Sequence, residues 1–213
     1  MRIIRHLSRQ SSNTYLIEVS EKEVVLIDPG FPDILEEYLE ILKSYDKIHV
    51  VHTHMHYDHI ASTAYLRELF GKNRIIVYHH EKEAKYLELG DSITTLASAF
   101  KAHLKPIKVD YKLREGFIVI GDEIFAIYHT PGHTIGSIAI QYKDILFTGD
   151  TILEEGIGRT DLPTGSRVML YESLKKLEKI KANIIAPGHG RVIRGKSSSY
   201  IRDLIIGLGP FFI

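Results

Sequence analysis

Four side chains able to ligate a metal fall within six residues in His54-Met55-His56-Tyr57-Asp58-His59. A chance His-x-His-x-Asp-His is expected in only about 2 of 1000 chains of this composition. The cluster is therefore read as a site and not as part of a scatter among the 12 histidines. Alternate residues of an extended chain share a side, so His54 and His56 can converge on one ion. Asp58 and His59, past the bend, can face a second. A carboxylate at the start of the following helix is also favoured by the helix dipole. Three stretches downstream carry matching donors: His133 in Thr130-Pro131-Gly132-His133, Asp150 in Thr148-Gly149-Asp150, and His189 in Pro187-Gly188-His189-Gly190. Each follows a strand-like run and sets Gly or Pro beside the polar residue, the kind of loop in which a rigid scaffold places functional side chains. The chain has no Cys, which removes thiolate nucleophiles and Cys-based zinc sites. Seven imidazole and carboxylate donors point to a two-metal hydrolase.

The elements that must position these donors alternate strands with helices. Asn13–Val19 and Val24–Ile27 read as a hairpin of β-branched and apolar residues, ended by Asp28-Pro29-Gly30. Pro32–Lys43 has helical spacing, with Pro at its first turn. A strand over Lys47–Val51 enters the His-rich stretch, and a helix leaves it to stop at Gly71. Arg74–Tyr78 is a strand and Glu81–Leu89 a helix closed by Gly90. Asp91–Lys112 is the least regular stretch, read as an insertion overhanging the site with a short helix over Thr94–Leu104. Short strands follow over Phe117–Ile120, Glu123–His129, Ser137–Tyr142 and Asp144–Thr148. After them come a helix over Arg167–Ile180, a strand over Asn183–Ala186 and a terminal helix over Ser198–Leu208. Two β-rich halves, each followed by helices and with no linker between them, predict a single α/β domain over residues 1–213. Its layers are two facing sheets with helices outside, a four-layer αββα sandwich.

Composition narrows the partners. Lys+Arg and Asp+Glu both number 27, so no basic surface argues for nucleic acid. No apolar run approaches the roughly 20 residues of a membrane span. The first residues, Met1-Arg2-Ile3-Ile4-Arg5-His6, lack a signal-peptide apolar region, which favours the cytoplasm. Among the remaining histidines, His52 and His129 are read as structural, and His6, His49, His79, His80 and His103 as ordinary surface or core residues.

The seven donors in this order resemble the complete signature of the metallo-β-lactamase-fold superfamily. The flanking Asp28-Pro29-Gly30, Thr130-Pro131-Gly132-His133-Thr134-x-Gly136-Ser137, Thr148-Gly149-Asp150-Thr151 and Gly158-Arg159-Thr160-Asp161-Leu162-Pro163 are similar to its glyoxalase II (hydroxyacylglutathione hydrolase) branch. The likeness runs from about Asn13 to Arg191. It implies a first metal on His54, His56 and His133, a second on Asp58, His59 and His189, and Asp150 bridging the two. The ions are expected to be zinc, with iron and manganese also suited to such donors. A metal-bound hydroxide, oriented by Asp58, would attack a carbonyl polarised by an ion. Asp28 is a candidate to accept a hydrogen bond from a ligand histidine. Arg159 and Asp161 are candidates to order the following loop as an ion pair, or Arg159 to meet a substrate carboxylate. Tyr57 is assigned no role.

The resemblance implies hydrolysis of an acyl thioester such as a hydroxyacyl-thiol. A mononuclear-iron persulfide dioxygenase, using His54 or His56 with His133 and Asp150, is the alternative, and a lactonase a further one. The chain ends 24 residues after His189, without the helical domain that grips glutathione in full-length glyoxalase II. The Asp91–Lys112 insertion, the Arg159 loop, the terminal helix or a partner subunit in a homo-oligomer would then supply substrate contacts. Glutamate stands at the second ligand position of the flavodiiron branch, where this chain has His56, which argues against that branch.

Overall fold

A computed structural model describes residues 2–4, 10–195 and 197–209. His6 lies outside the described residues. The chain divides into two compact units, residues 1–113 with 119–124, and residues 114–118 with 125–213.

The first unit is built on a six-stranded sheet. Its strands are β1 (Arg2–Ile4), β2 (Thr14–Glu18), β3 (Glu23–Ile27), β4 (Lys47–Val51), β5 (Ile75–His80) and β6 (Tyr111–Leu113), lying side by side in that order. The first three pair antiparallel, and β3 to β6 run parallel. Parallel neighbours need crossovers. Helix α1 (Leu35–Lys43) links β3 to β4, α2 (Tyr57–Ile60) and α3 (Ser62–Phe70) link β4 to β5, and α4 (Glu81–Leu89) follows β5. One apolar cluster joins the sheet to these helices. Leu16, Val24, Leu26, Ile48, Val50, Ile75 and Val77 meet Tyr38, Leu42, Leu66 and Leu87. The alternate strand residues Tyr15, Ile17, Val25, Ile27 and Val51 are buried as well, so the strands read as continuous apolar runs, as parallel strands covered on both faces do.

The helix expected over Thr94–Leu104 does not form. Only a 3-10 turn, Ala97–Phe100, appears there. The Asp91 carboxylate takes the Ile93 and Thr94 amides and the Thr94 hydroxyl, and the Thr95 hydroxyl donates to the Asp91 carbonyl. Such local side-chain bonds compete with a helix, and Leu96, at φ 66°, breaks it outright.

The second sheet carries β7 (Gly116–Ile120), β8 (Glu123–His129), β9 (Ile138–Tyr142), β10 (Ile145–Gly149), β13 (Ile184–Pro187) and β14 (Ile193–Arg194), in the order β14-β13-β10-β9-β8-β7. A small hairpin, β11 (Ile152–Leu153) and β12 (Gly156–Ile157), follows β10. Helices α5 (Arg167–Leu177) and α6 (Ser197–Leu208) pack on this sheet through Leu174, Leu177 and Ile201, against Ala139, Leu146 and Ile185. No helix among the described residues is long and apolar enough to cross a membrane.

Candidate metal centre

The first unit brings its four donors to one end of its sheet. Strands β3 and β4 are in register with Ile27 opposite Val51, so Asp28 and the residues after Val51 leave the sheet side by side. The Asp28 amide donates to the Val51 carbonyl at 3.2 Å. Asp28 is 1% exposed and sits at φ 49°, a left-handed position that Asp tolerates better than most residues. Its two carboxylate oxygens take three donors. Oδ1 accepts the Thr53 amide at 2.7 Å, and Oδ2 accepts the Thr53 hydroxyl at 2.6 Å and His59 Nδ1–H at 2.9 Å. Because Thr53 gives its hydroxyl proton to Asp28, its oxygen is left to accept from His54 Nδ1, 3.1 Å away. One buried carboxylate thus fixes the tautomer of His59 directly and that of His54 through Thr53, turning Nε2 of each into a ligand.

His54 Nε2 lies 3.1 Å from His56 Nδ1, with the rings T-shaped at 4.7 Å. Two ligands bonded to one ion at 2.0–2.2 Å stand roughly 3–3.6 Å apart, so the pair has the spacing of two ligands on one ion. Asp58 Oδ2 stands 3.7 Å from His59 Nε2. His54, His56 and His59 are all buried. Tyr57 turns to a cluster of rings, with Phe31 at 5.6 Å and Phe100 at 6.1 Å.

The second unit gathers its three donors in the same manner. Strand β8 is antiparallel to β9, β9 is antiparallel to β10, and β10 is parallel to β13. Hence β8, β10 and β13 all end at the same edge. His133, Asp150 and His189 follow those three ends. Asp150 Oδ2 lies 3.6 Å from His133 Nε2 and 3.7 Å from His189 Nε2. Both separations are longer than a hydrogen bond and close to a ligand–ligand spacing on an ion. The turn at Asp150 is fixed by Thr148, whose hydroxyl donates to the Ile152 carbonyl, and by Thr151, whose amide returns to the Thr148 carbonyl.

His133 Nδ1–H donates to the Arg159 carbonyl at 2.8 Å, which leaves Nε2 for a ligand bond. The approach depends on Gly158. A Cβ there would lie 1.9 Å from the Asp150 carbonyl oxygen and 2.8 Å from His133 Nδ1. The side chains of Arg159 and Asp161 stand apart from these donors, both 68% exposed, and pair with each other through two bonds of 3.0 and 2.8 Å. The hydrogen bond from Arg159 lowers the Asp161 carboxyl to about 2.

Thr53, Gly158 and the Arg159 carbonyl are the parts that sequence reasoning passed over. None is a ligand type, although Thr53 directly precedes His54 and Gly158 opens a motif already singled out. Five of the other histidines have structural partners. His52 Nε2 meets the Thr63 hydroxyl at 2.7 Å, and burial holds its pKa well below the usual imidazole value. His129 Nε2 meets the Ile135 carbonyl, His49 lies between Glu23 and Tyr78, His79 pairs with buried Glu83, and His80 caps α4. His103 is exposed.

The family model of the metallo-beta-lactamase superfamily matches residues 7–189. A probable metallo-hydrolase of Methanocaldococcus jannaschii is 40% identical over 202 residues, 92% of this chain and 95% of its own length. The hydroxyacylglutathione hydrolase GloC of Haemophilus influenzae is 33% identical over 186 residues, 84% of this chain and 85% of its own. Among solved structures, the BLEG-1 B3 metallo-beta-lactamase superposes with a TM-score of 0.74 at 31% identity, over 94% of both chains. TTHA1623 in a di-iron-bound form does so with a TM-score of 0.73 at 28% identity, over 95% of this chain and 96% of that one. The α/β fold class expected from the sequence is the one these structures share.

Proposed function

The chain belongs to the metallo-beta-lactamase superfamily and is a metallo-hydrolase of it; from that premise we propose that it hydrolyses a small acyl thioester, in the manner of glyoxalase II, on a two-metal centre. His54, His56 and His133 would hold one ion and Asp58, His59 and His189 the other, with Asp150 as a donor shared by both. Zinc suits these donors, as do iron and manganese, and the di-iron form of TTHA1623 is a relative in which iron occurs. The observation that carries the reading is Asp150, one carboxylate oxygen of which lies 3.6 and 3.7 Å from the Nε2 atoms of His133 and His189. An oxygen placed between two imidazoles, too far to bond either, has the spacing of a shared ligand.

Bound ions at such donors supply Lewis-acid polarisation of the carbonyl and an acidified water. The chain's own residues set the geometry. Asp28 and Thr53 hold His59 and His54 in fixed tautomers, and the Arg159 carbonyl does the same for His133. Asp58, whose Oδ2 lies 3.7 Å from His59 Nε2, would orient the attacking water. No Ser or Cys nucleophile is called for. A hydroxyacyl-thiol is the substrate class favoured by the likeness to GloC. A single-iron dioxygenase would use only three of the seven donors, whereas the two-metal reading uses all of them.

The test is elemental analysis of the purified protein together with assays of a hydroxyacyl thioester, an acyl-lactone and glutathione persulfide in an oxygen electrode. Two metals per chain with thioester turnover support the reading. One iron per chain with oxygen uptake sinks it, and turnover of the lactone alone would move the substrate class.

A further inference from the structure

His189 differs from the other donors in how its loop is held. It follows β13 directly and is followed by Gly190-Arg191, and its side chain is 26% exposed where those of His59 and His133 are nearly covered. On one side the loop is tied to the Asp150 turn, where the Gly188 amide donates to the Gly149 carbonyl at 2.8 Å. On the other side it is tied to Glu154, at the tip of the β11–β12 hairpin. Glu154 Oε2 accepts the Arg191 amide at 2.7 Å, and Oε1 pairs with Arg191 Nε. Gly190, at φ +82°, packs so close that a Cβ would lie 2.9 Å from Glu154 Cβ and Oε2. Asp150 and Glu154 are four residues apart, so one short segment grips the His189 loop at both ends. That segment is fixed in turn from α6. The Tyr200 hydroxyl bridges the Leu153 and Glu154 carbonyls at 2.8 and 2.7 Å.

We infer that Glu154, held in place by Tyr200 of the terminal helix, is a positioning residue for His189, and that it sets the affinity of the second metal independently of the first. The claim about affinity rests on the two-metal reading above; the claim about the loop does not. Glu154 contributes no ligand. It fixes the backbone that follows His189, and with it the direction of the imidazole toward Asp150. Of the donors of the first ion, His54 is fixed through Asp28 and Thr53 and His133 through the Arg159 carbonyl, and none of those contacts involves Glu154 or Tyr200. Loosening the clamp therefore releases one ion and spares the other.

Chelator competition, followed by elemental analysis, measures the affinity of each metal in the wild-type protein and in Glu154→Ala and Tyr200→Phe. One of the two metals should lose about 10- to 100-fold in affinity in Glu154→Ala, the usual range for an outer support of a metal ligand. The loss should be smaller in Tyr200→Phe, which keeps the ring, and the other metal should be unchanged in both. Arg202→Ala, which removes only a surface pair between Arg202 of α6 and Glu178, should leave both metals as they were. Hydrogen exchange of the metal-free protein provides the second readout. Amides at 188–191 should exchange faster in Glu154→Ala, and those at 52–60 should not. Equal loss of both metals, or unchanged exchange at 188–191, overturns the inference. A wild-type protein that binds one metal only would sink the two-metal reading and the affinity claim with it, and the exchange measurement would still decide whether Glu154 holds the loop.

Discussion

Asp28 shows how much of such a centre is decided by a residue that is not a ligand. Its Oδ2 receives two protons, from Thr53 and from His59. In Asp28→Asn, an amide nitrogen at that position would face two donors with nothing to offer them, and turning the amide over would present the same conflict to the Thr53 amide. The variant is expected to fold and to bind metal about 10- to 100-fold more weakly, with kcat/KM for the thioester falling in step, as chelator competition and steady-state kinetics on one preparation will show. Gly158 makes the opposite kind of contribution, by absence. Gly158→Ala places a methyl group 1.9 Å from a backbone oxygen that has no room to move. Overpacking of this kind costs about 1–3 kcal/mol, which for a chain of this length lowers the melting temperature by roughly 2–12 °C. The displaced ring of His133 should cost metal as well. A variant that melts and binds metal like the wild type would show that the approach of the Arg159 loop is looser than described.

At the scale of elements, the parallel register of β3 with β4 and the common direction of β8, β10 and β13 do most of the positioning. Both were legible in part. The strand at Lys47–Val51 and the helix at Glu81–Leu89 stand where their periodicity put them, since apolar spacing is set by burial in the native fold. The Asp91–Lys112 stretch was not legible, because its shape comes from Asp91 and Thr95 bonding back to their own chain and from a left-handed Leu96, neither of which has a period. The β11–β12 hairpin and the two-residue β14 are too short to announce themselves. The donors could be picked out by residue type, but Thr53 and the Arg159 carbonyl act through hydrogen bonds that only the register creates. His49, on β4, gives this scale a pH test. Burial lowers its pKa, with partial opposition from the Glu23 hydrogen bond and a further small lowering from Lys47. The unfolded chain takes up this proton near pH 6.5, and the fold accepts it only at lower pH. The residue therefore withdraws stability as pH falls below about 6.5 and withdraws none above it. His49→Gln, compared with wild type in the metal-free state by urea unfolding, should lose less stability between pH 7.5 and pH 5.5; an equal loss would mean that His49 titrates as an ordinary exposed imidazole.

For the molecule as a whole, the proposed ions would bind the folded chain and not the unfolded one, and metal and stability should then be coupled. A ligand bound only by the folded state adds about 2.7 kcal/mol when present at 100 times its dissociation constant. For a chain of this length that corresponds to roughly 5–11 °C in melting temperature. Calorimetry with and without a strong chelator should show a fall of that order, and Asp150→Ala, lacking the shared donor, should melt at the lower temperature whether or not chelator is present. A wild-type protein whose melting is indifferent to chelator would mean that the fold owes nothing to the ions. The balanced charge of the chain, 27 basic against 27 acidic residues, gives no net charge to draw in a charged ligand from a distance. Selection among substrates then falls to short-range contacts.

The bond from His133 to the carbonyl of Arg159, and not to its side chain, has a consequence for how this enzyme can change over time. Every amino acid brings the same carbonyl, so any residue at position 159 can keep the imidazole in its working tautomer. The guanidinium, turned outward and paired with Asp161, is at liberty to drift. Substitution at position 159 can therefore change that rim and leave the bond to His133 in place. Freedom at the surface and constancy beside His133 fall to different atoms of one residue.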